Sequence, residues 1–129
     1  MVGAWTDLGF AYSTAGRRPA ALQASTRAVQ AIEAFIQRGG DNAERVHAKC
    51  LRNLSCDLLD AGYPAEAASA SRHSIQLRKS RPDLTETDIL EIRDSLTNLE
   101  NQCLAMNDYR GAVAARGEVQ QIDRLHSLT

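Results

Sequence analysis

The stretch Trp5-Thr6-Asp7-Leu8-Gly9-Phe10-Ala11-Tyr12, followed by Gly16, by Pro19-Ala20-Ala21-Leu22 and by Ala28-Val29, decides the fold because the chain repeats it. A shift of 46 residues lays Leu51, Leu54-Ser55, Leu58, Gly62, Ala67-Ala68 and Ser74-Ile75 on the same pattern. A further shift of 45 finds Leu96, Leu99, Cys103, Asn107, Ala112-Val113 and Val119, the most degraded of the three units. Self-similarity at a fixed period of about 20–50 residues marks an architecture in which each unit buries its apolar face only against its neighbours.

Within a unit, the first segment carries apolar residues at helical spacing, as in Leu51, Leu54 and Leu58. It then meets Gly16, Gly62 or Asn107, residue types that tolerate the left-handed conformation ending a helix. Pro19 and Pro64 follow within two or three residues. A proline fits the first turn of the next helix, where its missing N–H would have been unpaired anyway. Each unit therefore reads as a helix, a tight turn and a second helix. Between units Gly39-Gly40 and Ser80-Arg81-Pro82-Asp83 interrupt the chain, and Asp41-x-x-Glu44 and Thr85-x-x-Asp88 supply capping-box patterns. The pattern predicts six antiparallel helices, over about 3–15, 18–38, 42–61, 64–79, 85–106 and 109–127. They form one domain, 1–129, with units at about 2–38, 41–80 and 83–127.

Composition agrees with an all-α domain. The chain has 129 residues, enough for one core, and 20 alanines against six aromatics, Trp5, Phe10, Tyr12, Phe35, Tyr63 and Tyr109. That balance favours closely packed helices over a sandwich or barrel, whose strands use aromatic and β-branched side chains. Fifteen basic and sixteen acidic residues leave a net charge of -1, with no electrostatic footprint for nucleic acid or an anionic membrane. No apolar run of about 18 residues and no signal-peptide pattern is present. Cys50, Cys56 and Cys103 are an odd number without framework spacing, which points to reduced thiols and a cytoplasmic location.

With its period in hand, Trp5-x-x-Leu8-Gly9-x-x-Tyr12, Gly16, Ala21 and Ala28 resemble the tetratricopeptide repeat (TPR) signature, and the later units carry the resemblance over almost the whole chain. The family's usual repeat is about 34 residues. The longer period here is similar to the repeats of kinesin light chains and of TPR arrays in bacterial signalling ATPases. Ala21-Leu22-Gln23-Ala24-Ser25 and Arg52-Asn53-Leu54-Ser55 look particularly like the latter. The resemblance implies a right-handed α-solenoid whose first helices line a concave face that holds a protein or peptide. Glu100 departs from the pattern by standing where Gly9 and Ser55 let two helices approach, which implies a splayed third pair or the end of the array. The second and third units begin their first helices eight or more residues before the equivalent of Trp5, so the chain reads as a fragment of a longer array.

On the concave face the period places Asp7, Asn53 and Asn98 at one position of successive units. An asparagine can pair with both the N–H and the C=O of a partner's backbone; equally, these amides can bond neighbouring helices within the scaffold. One turn away on the same face lie Thr6 with Phe10, Lys49 with Arg52 and Cys56, and Thr97 with Asn101. Lys49 and Arg52 either favour an acidic partner or are ordinary solvated charges. Thr6 and Phe10 stand where chaperone-binding members carry lysine and asparagine, so the family's carboxylate clamp is not expected.

Catalytic and metal patterns are missing. His47, Cys50 and Cys56 share a helix without a second ligand pair, so no zinc is expected. His73 and His126 have no nucleophile or orienting carboxylate at motif spacing, and no phosphate-binding loop appears. The basic stretch Arg72, His73, Arg78, Lys79 and Arg81 complements a helix C-terminus. The sequence thus predicts a non-catalytic protein-binding scaffold without cofactor. Two alternatives stand beside it: a sensor or spacer segment of a larger signalling ATPase or transcriptional regulator, and a homotypic assembly module joined through uncapped array ends.

Overall fold

The computed structural model describes residues 18–126, and among them every regular element is an α-helix. In chain order these are α1 (Arg18–Gln37), α2 (Glu44–Asp60), α3 (Pro64–Lys79), α4 (Glu86–Ala105) and α5 (Tyr109–His126). The helix expected over 3–15, with Leu8, lies outside the described residues.

Three helices end in the same way. At α2 the Tyr63 N–H donates to the Leu58 carbonyl (2.8 Å) and the Gly62 N–H to that of Leu59 (3.0 Å), with Gly62 at φ 90°. At α4 Asp108 and Asn107 repeat those bonds to Cys103 and Leu104, with Asn107 at φ 59°. At α1 Gly40 and Gly39 do so to Phe35 and Ile36. This motif satisfies carbonyls that a helix end leaves unpaired, and its left-handed residue is what glycine or asparagine supplies. The left-handed residue here is Gly39, φ 86°, while at Gly40 an added Cβ would run into the Phe35 ring.

Helix starts divide. Thr85 and Asp88 form the expected capping box, each side chain accepting from the other's backbone N–H at 3.1 Å. Asp41 does not cap α2. Asn42 takes a left-handed conformation, φ 55°, so α2 begins at Glu44 after Ala43, which offers no side-chain cap. Pro64 opens α3.

Each helix packs against its neighbour in the chain, and α2 also touches α4. Ala28, Val29, Cys50, Leu51 and Ala70 form one buried cluster across α1, α2 and α3. Ala68, Ile75, Ile92, Leu96, Leu99, Cys103, Ala112 and Ala115 form another across α3, α4 and α5. Ala21, Ala67, Leu99 and Ala112 are buried as the pattern predicts. Leu54 is only half-buried at the edge of the first cluster; Leu51 is the deeper leucine of α2. Three buried serines between helices find specific acceptors: Ser25 donates to Asp57, Ser71 to Gln102 Oε1 at 2.7 Å and Ser74 to the Ala48 carbonyl at 2.7 Å. Small residues of this kind let helices approach closely while their hydroxyls remain paired.

The third pair is not splayed by Glu100. Ala112 and Ala115 are buried against α4, and the half-buried Glu100 carboxylate turns to Arg116, 3.3 Å away on α5. Phe35 and Leu125 are exposed. No helix among the described residues is long and apolar enough to cross a membrane.

Candidate functional site

The face shared by α2 and α4 gathers most of the residues that the period singles out. Arg52 on α2 lies between two carboxylates of α4, with Glu91 at 3.6 Å and Asp94 at 3.7 Å. It is a bridge between helices, not a free cation awaiting an acidic ligand. One turn on, the Asn98 amide donates to Cys56 Sγ at 3.6 Å, a long and weak bond from α4 to α2. Burial pushes the Cys56 thiol above its ordinary pKa, and the nearby Arg52 opposes that only in part. A protonated, half-buried thiol is a poor nucleophile.

The remaining candidates stay open. Lys49 and Asn101 are exposed and Asn53 is half-buried, and none of the three has a side-chain hydrogen-bond or ion-pair partner among the described residues. Thr97 donates its hydroxyl to the Arg93 carbonyl of its own helix at 3.1 Å. Thr6, Asp7 and Phe10 lie outside the described residues. Of the two readings of the asparagines, Asn98 therefore leans to the scaffold while keeping its carbonyl oxygen, and Asn53 does not.

Sequence spacing missed a second centre. The Asp88 carboxylate is buried at the start of α4 and receives Arg45 from α2 at 2.7–3.2 Å and Arg78 from α3 at 3.0 Å. Arg45 holds the Asp88 carboxyl well below the usual carboxylate range, aided by Thr85 and opposed by burial. This cluster clamps α4 onto the preceding pair. Forty-five residues after Arg78 stands Asp123, with the opposite sign and a partner within its own pair: Arg93 binds it through both oxygens, at 2.5 and 2.9 Å.

The basic stretch after Arg72 is likewise consumed. Arg78 serves Asp88, Lys79 pairs with Glu118 (2.8 Å), Arg81 with Glu44 (3.0 Å), and Arg72 reaches Asp108 (4.0 Å). No disulfide joins the cysteines, and no group of three His, Cys, Asp or Glu side chains among the described residues is placed to hold a metal ion.

No family model, no curated protein and no solved structure matches the chain. The functional reading accordingly rests on the residues and their geometry.

Proposed function

We propose that this chain is a non-catalytic protein-binding module. In this reading long TPR-like helix pairs stack into a right-handed solenoid, and the first helices of successive pairs hold an extended segment of a partner by its backbone. The observation that carries it is the pair Asn53 and Asn101 on adjoining helices α2 and α4, both with amides unused among the described residues. Packing of each helix on the next, the α2–α4 contact, and matching helix ends at Gly62 and Asn107 support the stacked arrangement.

Charge narrows the choice of partner. On this face the two cations Lys49 and Arg52 are matched in number by the two carboxylates Glu91 and Asp94, so the segment best suited is polar and close to neutral. Asp7 stands 46 residues before Asn53, at the same place in the period.

A random-peptide library panned on the wild-type protein tests this. Selected peptides should bind the Asn53→Ala, Asn101→Ala double variant about five- to a hundred-fold more weakly, since each backbone hydrogen bond contributes about 0.5–1.5 kcal/mol. The melting temperature should be unchanged, because neither amide supports the fold. Undiminished affinity, or a selection that yields no binder, would remove this face as the binding site.

A further inference from the structure

Three helices meet at His47. Its imidazole, on α2, is 8% exposed and packs edge to face on the ring of His73 from α3, with centroids 5.1 Å apart and planes at 75°. Its Nε2 lies 3.5 Å from Glu33 Oε2 on α1, yet makes no well-directed hydrogen bond among the described residues. Beside it a mostly apolar cavity of about 290 Å³ opens at the α1–α2 turn, bounded by Ile36, Ala43 and Leu77, with Asp41 and Glu44 also in its wall.

We propose that the His47–His73–Glu33 contact is a pH-sensitive joint that fastens α1 to the α2–α3 pair at neutral pH and loosens in mild acid. Two neutral imidazoles can pack ring against ring. Protonating both sets like charges side by side where His47 is cut off from water, and the single Glu33 carboxylate offsets only one of them. Among the described residues the charged or titratable groups facing His47 are Glu33 from α1 and His73 from α3, while Asp41 and Glu44 border the adjoining cavity.

Burial, and then His73, hold the His47 imidazole below its ordinary pKa, against the pull of Glu33. For a base lowered in this way the folded state favours the neutral form. Its contribution is complete above the unfolded value of about 6.5 and is lost as pH falls through that value toward the folded one. Each unit of separation multiplies the unfolding constant by about ten across that window. Asp88 and Asp123, held below the usual carboxylate range, stay charged throughout it.

The test compares urea unfolding at about pH 7.5 and 5.5, on either side of the histidine range, for the wild type and for His47→Gln, His73→Gln and Glu33→Gln. The wild type should lose stability on acidification, His47→Gln should lose little, His73→Gln an intermediate amount and Glu33→Gln more than the wild type. Hydrogen exchange in acid should quicken in α1 and α2 before α4 and α5. Parallel losses in the wild type and His47→Gln, or a uniform rise in exchange, would overturn the proposal. An NMR titration of the wild-type imidazoles decides independently of any variant's folding. His47 titrating below an exposed histidine supports the joint, and titration at or above it refutes the joint.

Discussion

Asp88→Ala should lower the stability of this protein by about 3–5 kcal/mol, the cost of removing one partner from a buried ion-pair cluster. Arg78 is itself buried and would be left with an uncompensated charge, and the capping box that starts α4 would lose its reciprocal half. Urea unfolding with a single cooperative transition measures the loss. Acid gives the complementary result. Because the folded fold depresses the Asp88 carboxyl, its contribution is present above the usual carboxylate range and disappears as pH falls toward the folded value. The wild type should weaken through the acid range and Asp88→Asn less, having already lost that contribution while Asp123 keeps its own. A variant as stable as the wild type would mean that Arg45 and Arg78 find other partners and that α4 is held by packing alone.

Leu96→Ala should cost about 2–5 kcal/mol. Leu96 is 1% exposed in the cluster built from α3, α4 and α5, so truncating it loosens two helix junctions at once. Leu54→Ala should cost less, because Leu54 only borders its cluster and its neighbours can close over the space. Thermal or urea denaturation of the two variants side by side orders them. An equal loss would place Leu54 in the core after all.

Local chemistry made much of this legible. Gly62 and Asn107 stop helices where residues able to adopt a left-handed conformation recur at the period, and Thr85 with Asp88 caps α4 through atoms three residues apart. The start of α2 was misleading because Asp41-x-x-Glu44 has the right letters, while Asn42 between them turns the chain away from a capping geometry. Leu54 shares a helical face with Leu51 and Leu58, but periodicity does not say which leucine faces the centre of the next helix. The charges were illegible for a different reason. Arg45 and Asp88 are 43 residues apart, and the cations Lys49 and Arg52 are visible in sequence without the carboxylates that a neighbouring unit brings to one of them. Positions were nonetheless implicit in the repeat, since Glu91 and Asp94 lie one to two turns before Thr97, the residue 45 after Arg52. His47 and His73 could also have been paired, standing roughly symmetrically about the turn at Ala61-Gly62, as Ala48 and Ser74 do.

The proposed binding face depends on α2 and α4 lying side by side, and one cross-link tests that arrangement. Asn98→Cys places a second thiol opposite the native Cys56, where the asparagine amide now lies 3.6 Å from the sulfur. A short thiol-to-thiol cross-linker, applied at a pH alkaline enough to ionise the raised Cys56 thiol, should join positions 56 and 98 within one chain, leave the buried Cys50 and Cys103 unmodified, and preserve the helical circular dichroism. Failure to form that link in a variant that folds, or a link from position 98 to Cys50 or Cys103 in its place, would contradict the side-by-side arrangement of the two helices and the binding face built on it.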